Sequence, residues 1–315
     1  MAVQVVVRLG WLLVSLAVAS ALVFIVVNVL PGDVAAIMLG TSATPEAVAA
    51  LQHQLGLDQP GWLRYWQWVS GMLRSDFGTS LLSHAEVGPL IVQKLAVSGP
   101  LAVLSATLSV AVALPLGVLA GVRYRNISGA IISAISLLGI AVPAFWAGLL
   151  LVTVFALQLK WLPAGGFVDW SENPVNAVRS LVLPALALGL VQAAVLTRYI
   201  RSAIVDVQRE DFLRTARAKG LTRWQALSRH GFRYAAIPVV TILGIQLTGL
   251  LVGAIVVENV FVLPGLGRLL FQSVGNRDLI VVQDLVMLLT AVVLVVNFLV
   301  DLSYRLLDPR IRNTA

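Results

Sequence analysis

Long apolar runs alternate with shorter polar stretches along the whole chain, and this alternation indicates the class of protein. An apolar helix of about 20 residues crosses the roughly 30 Å hydrocarbon layer of a membrane. The runs that reach this length predict an all-α membrane protein with six transmembrane helices. Their approximate bounds are 9–30, 96–122, 131–159, 181–199, 237–257 and 281–302.

Polar stretches of unequal length separate these runs. We therefore predict a single transmembrane domain over residues 1–315, which begins with one span (1–30) and a long outer loop (31–95). A five-span core (96–305) follows and contains a second long polar loop (200–236). The first run resembles a secretory signal peptide, but it is too long for one, so we predict an uncleaved span.

Proline residues punctuate several of the apolar runs. The Pro-Gly-Asp sequence at 31–33 is expected to end the first helix at the membrane surface. Pro115, Pro143 and Pro184 fall inside spans, where neighbouring helices can satisfy the backbone groups that proline frees.

Basic residues are concentrated in one set of the polar stretches, which holds the larger share of the 22 Lys and Arg residues. Since basic residues favour the cytoplasmic side, both termini and the 200–236 loop are predicted to face the cytoplasm. This topology accounts for the net charge of +7 and removes it as an argument for nucleic-acid binding. With 59% hydrophobic residues the chain cannot be a soluble domain, and the absence of cysteine excludes disulfides and thiolate metal sites.

The 200–236 loop carries its own signals for local structure. Gly220 can adopt the left-handed conformation that ends a helix, with Leu221 as the apolar residue just beyond it. Thr222 and Gln225 match a capping box, which begins another helix. A helix–turn–helix is therefore predicted over residues 210–224.

The first of these two helices is predicted to be amphipathic. Leu213 and Ala216, beside Phe212, form a narrow apolar stripe among basic residues. A short basic helix that projects from a membrane domain is suited to dock into a groove on a partner. The alternative is an ordinary cytoplasmic loop, which is basic and often helical whatever its function.

A second candidate site lies in the last loop on the opposite side. Residues 264–267 read Pro-Gly-Leu-Gly, a tight turn expected to need glycine conformations, and a short helix is predicted to continue to Val274. This segment is either part of an outer gate or a plain connector. The residues assigned to an outer gate or pathway are Glu258, Pro264, Gly265, Gly267, Gln246 and Asn297.

Two further patterns concern packing. Aromatic residues between positions 56 and 82 predict either a helix lying at the membrane interface or a binding surface. Glycine pairs at 117 and 121, and at 249 and 253, predict close approach between helices.

The sequence lacks the motifs by which a protein would supply energy itself. Its lysines occupy no phosphate-binding Gly-x-x-x-x-Gly-Lys-Ser/Thr pattern, and its three histidines lie far apart in loops, so no metal site or Ser–His protease is predicted. Glu258, Asp284 and Asp301 lie at or near span ends, where they are expected to reach water. An ion-coupled carrier usually has buried carboxylates or broken helices at mid-membrane, so the energy source is expected to lie outside this chain.

Four neutral polar residues remain inside the spans. They either line a pathway or bond between helices. They are Asn28, Gln192, Gln246 and Asn297.

The basic loop resembles a known motif. Residues 211–221, Asp-Phe-Leu-Arg-Thr-Ala-Arg-Ala-Lys-Gly-Leu, and residues 230–241 are similar to the cytoplasmic EAA loop of binding-protein-dependent ABC permeases, closest to the dipeptide, oligopeptide and nickel branch. Six spans and a long first outer loop resemble the B-type permease subunit of that branch. Further stretches similar to the branch are 30–33, 56–60, 76–81, 258–267 and 277–278.

This resemblance implies the type I ABC importer permease fold, in which the loop docks on a cytoplasmic ATPase. Arg214 stands where the general EAA loop has Glu and Arg233 where it has Pro, so an acidic contact at position 214 is not assumed. The implied ATPase-coupling residues are Glu210, Asp211, Arg214, Thr215, Ala216, Arg217, Lys219, Gly220 and Leu221.

The implied function is that of a non-catalytic subunit in the bacterial plasma membrane, within an ATP-driven importer that receives peptides from an extracytoplasmic binding protein. The implied partners are a second permease, either a related chain or a second copy, and two ATPase subunits. No cofactor is expected in this chain, because ATP and Mg²⁺ would be bound by the ATPases. The alternatives are nickel or glutathione as substrate, an ion-coupled secondary carrier and an intramembrane enzyme.

Overall fold

A computed structural model describes residues 2–29, 34–39, 43–54 and 56–307 of the chain. Over these residues the backbone is helical almost throughout, with one isolated antiparallel bridge between Thr79 and Glu86. The α-helices are α1 (Ala2–Val29), α2 (Val34–Leu39), α3 (Pro45–Gln54), α4 (Gly61–Leu73), α5 (Val87–Val122), α6 (Ile127–Ala141), α7 (Ala144–Leu151), α8 (Pro174–Val207), α9 (Asp211–Ala218), α10 (Arg223–Ala226), α11 (Phe232–Val260), α12 (Leu266–Gly275) and α13 (Leu279–Leu307). Two π-helical segments, Val152–Gln158 and Leu227–Gly231, extend α7 and join α10 to α11.

Five helical segments in the described part of the chain are long and apolar enough to cross a membrane. They are Val5–Asn28, Val87–Val122, Pro174–Val207, Arg223–Val260 and Leu279–Ser303. They correspond to five of the six predicted spans. The Pro-Gly-Asp sequence at 31–33, predicted to end the first helix, lies outside the described residues.

The remaining predicted span, 131–159, is wrong as a single continuous helix. Segments Ile127–Ala141 and Ala144–Gln158 meet at an angle of 100°, so they make a sixth span only as a bent pair. Pro143 lies at the break. Since a residue before proline is disfavoured in the helical conformation, Val142 is extended, with φ −88° and ψ 119°, and the helix ends there.

One compact unit comprises Val97–Arg268 together with the described residues of two flanking segments, 1–9 and 295–315. Helix α8 is the centre of this unit, because 67% of its most apolar stretch is buried, and α6, α7 and α11 pack against it. Its buried side chains are mainly Leu, Ile and Ala. A helix that is buried on most sides inside a bundle needs apolar residues all around it, and the central stretch of α8, residues 181–196, has Gln192 as its one polar residue.

Close packing between α5 and α8 follows the predicted glycine pair. A β-carbon at Gly117 would lie 2.6 Å from Cβ of Ile200, and one at Gly121 would lie 2.7 Å from Cβ of Ile204. These separations are too short for any side chain. The prediction that this glycine pair allows close helix approach is therefore confirmed.

The other compact unit comprises Gly10–Ala96 and Leu269–Leu294. Within it, the aromatic stretch forms the amphipathic helix α4. The hydroxyl groups of Tyr65 and Ser20 share a hydrogen bond of 2.9 Å, whereas Trp62 is 68% exposed. The predicted helix is present, and its position at a membrane interface stays a prediction.

Candidate functional site

The basic loop folds as the predicted helix–turn–helix. Gly220 has φ +93°, and its amide donates to the carbonyl of Arg217 while the amide of Leu221 donates to the carbonyl of Ala216. These two bonds are the Schellman pattern that closes a helix C-terminus. Thus α9 ends where the sequence predicted.

The second helix of the loop begins with the predicted capping box. The amide of Gln225 donates to Oγ1 of Thr222 at 3.2 Å, and the Thr222 amide donates to Oε1 of Gln225 at 3.0 Å. Helix α10 then continues through the π-helical segment into α11 without a break, as one helical run from Arg223 to Val260. Movement of α10 is therefore movement of the N-terminal end of a helical run that contains a membrane span.

The apolar stripe of α9 faces inward, against its own domain. Leu213 is 3% exposed and Ala216 is 8% exposed, and both belong to a core cluster with Ala226 and Leu227. The stripe therefore fixes the loop to its own domain. The face of α9 that remains exposed is polar.

Most of the predicted coupling residues lie on this polar surface. Among them, Arg214 and Asp211 form an exposed ion pair at 3.3 Å, a kind that contributes little to stability. Leu221 is half-buried. The exposed members are Glu210, Asp211, Arg214, Thr215, Arg217, Lys219 and Gly220.

Glu258, near the C-terminal end of α11, was expected to reach water, but it is buried, with 1% of its surface exposed. Its carboxylate accepts hydrogen bonds from Oγ of Ser98 at 2.5 Å and from the amides of Gly267 at 2.8 Å and Arg268 at 3.1 Å. The chain after α11 turns back over the carboxylate, with the Leu263 amide bonded to the Glu258 carbonyl at 2.8 Å. Position near a span end was thus a poor guide to exposure.

The two glycines of the outer turn are needed for space rather than for unusual backbone angles. Neither Gly265 nor Gly267 has a positive φ, whereas Val262 does, at 54°. A β-carbon at Gly265 would collide with the carboxylate of Glu258, and one at Gly267 would lie 2.5 Å from the backbone of Ile255. The expectation that these glycines adopt backbone angles special to glycine was wrong. Instead, the turn needs glycine because it packs closely around the buried carboxylate of Glu258. The short helix predicted to follow is present as α12.

Asp284 also lies buried, at 0% exposure, against the expectation that it would reach water. Its Oδ1 accepts from Nε1 of Trp68 at 2.7 Å. In the same unit, the carboxylate of Asp278 accepts from Oγ of Ser80 at 2.5 Å, a contact between residues 198 positions apart that no local pattern predicts. Asp301 is exposed and pairs with Arg8 at 3.0 Å.

The neutral polar residues of the spans do not form one site. Nε2 of Gln192 approaches the carbonyl of Gln246 at 3.5 Å, and Nε2 of Gln246 and Oγ of Ser109 are buried without a protein partner among the described residues. These three side chains surround one small cavity between α5, α8 and α11. Asn297 is exposed on α13, and Asn28 donates to the carbonyl of its own helix at position 24.

Comparison with known protein families identifies the class of protein. Residues 113–313 match the model of the binding-protein-dependent transport system inner membrane component, and residues 1–98 match the N-terminal model of the same kind of membrane component. The chain belongs to this family. It is a multi-pass inner-membrane permease subunit of a binding-protein-dependent ABC importer, and its family implies ATPase and binding-protein partners.

Similar proteins align with almost the whole permease. A putative peptide transport system permease protein of Brucella abortus (strain 2308) is 38% identical over 295 residues, which cover 94% of each chain. The glutathione transport system permease protein GsiC of Salmonella typhimurium (strain LT2) is 39% identical over 305 residues, which cover 97% of each chain.

Solved structures of the MetNI methionine ABC transporter in inward-facing conformations resemble the permease in fold. The two matches have TM-scores of 0.52 and 0.54 at 18% and 19% identity, and each covers 70% of this chain and 96% of the matched chain. The predicted ABC importer permease fold is confirmed. The predicted cytoplasmic position of both termini stays a prediction.

Proposed function

We propose that this permease imports short peptides and that it receives the work of ATP hydrolysis through α9, Gly220 and α10. The observation that carries the proposal is that both helices of this loop are joined to membrane helices. Its buried stripe joins the core around α8, and α10 continues directly into α11. A force applied to the exposed polar face therefore reaches two membrane helices at once.

The names of the relatives support short peptides as the substrate class. One relative is named for peptide transport and another for glutathione transport, and glutathione is itself a modified tripeptide. Purified transporter reconstituted in vesicles with its binding protein should take up labelled di- or tripeptides or glutathione when ATP is supplied. Uptake of none of these would contradict the proposed substrate class.

The proposed complex has two permeases, because each chain has one basic loop and two ATPase subunits must each be contacted. We propose a related chain as the second permease, and we propose that the ATPases hold ATP and Mg²⁺. Mass spectrometry of the complex purified through a tag on this chain tests both points. Recovery of this chain as the only permease would point to a homodimer instead.

Gly220→Asp tests the coupling role. A β-carbon at Gly220 meets nothing within 4 Å, so the change acts through backbone strain at φ +93° and through charge on the exposed face. We expect the complex to stay in the membrane, with ATP hydrolysis continuing and uptake lost.

Two variants serve as controls for this experiment. Gly166→Asp introduces the same charge at another left-handed glycine, with φ +80° and equally open space, outside the loop. Gly220→Asn keeps the size without the charge, and Asn tolerates the left-handed conformation. Uptake that is unchanged in Gly220→Asp, or lost equally in Gly166→Asp, would count against coupling at this site.

A further inference from the structure

A cavity of about 480 Å³ opens beside α4, and every described residue that lines it belongs to the unit of Gly10–Ala96 and Leu269–Leu294. We call it the α4 cavity. Its walls come from the C-terminal end of α1, from α4 and the segments on either side of it, and from the N-terminal end of α13. Cavities of roughly 300–1,000 Å³ are the size that holds small ligands. Among its described lining residues, none belongs to the basic loop or to the turn around Glu258.

Gln283 of α13 is a buried polar side chain that lines this cavity without a partner. It is 8% exposed, and its amide group makes no hydrogen bond to a described residue. A buried polar group without a partner is unfavourable and uncommon in proteins. Because a side-chain amide both donates and accepts, a peptide group of a ligand would satisfy it.

The α4 cavity also contains one positive and one negative side chain that do not pair with each other. Arg64 is half-buried, and no carboxylate of a described residue lies within 4 Å of its guanidinium. Burial lowers the pKa of Arg64, because it disfavours the charged form. Oδ1 of Asp76 accepts from the amide of Gly78 at 3.0 Å, and Oδ2 has no partner among the described residues. The cavity can therefore hold one anionic and one cationic group of a ligand at different places.

Aromatic rings supply an apolar wall. Phe24 and Trp68 stack with their ring centres 6.2 Å apart, and Phe77 lines the cavity as well. Nε1 of Trp68 already donates to Asp284 at 2.7 Å, so this bond holds the indole in place and leaves its ring for contact with a ligand. An apolar side chain can pack against such a wall.

These features together select among classes of ligand. A wholly apolar ligand, such as an acyl chain, would leave Gln283 and Arg64 without partners. A simple anion such as phosphate would pair with Arg64, but Asp76 would repel it and the aromatic wall would have no contact. A short peptide carries a carboxylate, an ammonium group, peptide groups and apolar side chains, so it supplies a partner for every feature of the cavity.

We propose that the α4 cavity binds a short peptide by both of its charged ends. The terminal carboxylate contacts Arg64, the terminal ammonium group contacts Asp76, and a peptide group bonds to the amide of Gln283. This inference rests on the proposed import of peptides. It adds a substrate site formed mainly by the predicted outer loop 31–95, where a peptide is held before it enters the spans.

The test is a ligand-detected NMR titration of the purified transporter complex, without a binding protein, using the tripeptide Ala-Phe-Ala. Arg64→Gln should weaken binding of the tripeptide roughly tenfold or more, since it removes a hydrogen-bonded charge pair. The same variant should change binding of the C-terminally amidated tripeptide less than about twofold, because that ligand has no carboxylate. The matched control is Arg74→Gln, which removes the same charge from an exposed position at the end of α4 outside the cavity and should leave binding of both ligands unchanged.

Gln283→Leu is a second test, because it keeps a similar volume and removes the amide. Since the amide has no partner in the free protein, the variant should unfold at the same temperature as the native protein or at a higher one. It should nevertheless weaken binding of the tripeptide about fivefold, the net effect of one neutral hydrogen bond. A lower unfolding temperature with unchanged binding would show that the amide serves the fold and not a ligand.

Other results would also overturn the inference. Equal weakening of the free and the amidated tripeptide by Arg64→Gln would show that Arg64 does not contact the carboxylate. Displacement of the tripeptide by an equal concentration of phosphatidylethanolamine would show a site for a zwitterionic lipid. Peptide uptake by the reconstituted transporter without any binding that depends on Arg64 would overturn this inference alone. Binding that depends on Arg64 without uptake would instead contradict the proposed import and support the site.

Discussion

The buried carboxylate of Glu258 supports a specific prediction about stability, because this one side chain accepts hydrogen bonds from three donors. Replacement of Glu258 by Ala leaves the hydroxyl of Ser98 and the amides of Gly267 and Arg268 without their acceptor. A buried donor that loses its partner costs about 1–3 kcal/mol. The Ser98 hydroxyl can rotate and Arg268 is only half-buried, so we expect the low end for each donor, a total of roughly 3 kcal/mol.

Glu258→Gln is the informative companion variant. It keeps the volume and one acceptor oxygen for the two amides, and Ser98 can accept from the new amide group because a hydroxyl both donates and accepts. The expected loss is therefore about 1 kcal/mol, close to the net value of one hydrogen bond. Glu210→Ala is the matched control, since Glu210 is exposed and its side chain makes no capping bond.

The assay is thermal unfolding of the purified transporter, combined with hydrogen exchange of the peptide that contains residues 264–270. The expected order of stability is native and Glu210→Ala first, then Glu258→Gln, then Glu258→Ala. Exchange at the amides of Gly267 and Arg268 should rise in Glu258→Ala. Native-like stability and protection in that variant would refute the idea that the carboxylate organises the outer turn.

Two further changes test the packing of the unit around α8. Gly121→Ala should destabilise the protein by about 1–3 kcal/mol, because its β-carbon would lie 2.7 Å from Cβ of Ile204. The control Gly99→Ala should be tolerated, because a β-carbon there meets nothing within 4 Å. Thermal unfolding measures both variants, and equal stability of the two would contradict the packing argument. Leu213→Ala should lower the free energy of unfolding by about 2–5 kcal/mol and loosen α9, so that less ATPase co-purifies. The control Thr215→Ala, on the exposed face of α9, should leave stability unchanged. Full recovery of the ATPase with Leu213→Ala would mean that the apolar stripe does not position the loop.

Local signals in the sequence were sufficient for the basic loop and for the long helices. The turn at Gly220 and the capping box at Thr222 depend on residues within a few positions of each other, so they could be identified without knowledge of the fold. The length of an apolar run likewise predicts a span by itself. What these signals could not give was the direction in which the stripe of α9 faces, because that depends on the core formed around α8.

The buried acids were missed for a related reason. Glu258 and Asp284 stand close to span ends in the sequence, but exposure depends on whether another segment covers them. Ser98 is 160 positions away from Glu258, and Trp68 is 216 positions away from Asp284, so no local pattern connects the partners. The prolines show a further limit of local signals. Those at 115, 184 and 238 lie within continuous helices, whereas the helix ends before Pro143, so a proline in an apolar run does not by itself predict a break.

The two candidate sites in the α8 unit lie at opposite ends of one helical run. The segment Arg223–Val260 has 38 residues and is therefore roughly 57 Å long, more than the thickness of a bilayer with its headgroups. Its C-terminal end is held by Glu258 and by a close approach of Phe261 to Gly148. A displacement of α10 must then appear at the outer turn, unless the run bends where its hydrogen bonding is irregular, at the π-helical segment Leu227–Gly231 or at Pro238. Both irregular points lie near the basic loop, so a bend is expected there, and the remaining part of α11, from Val239 to Val260, is suited to act as one rigid element that ends at the turn around Glu258.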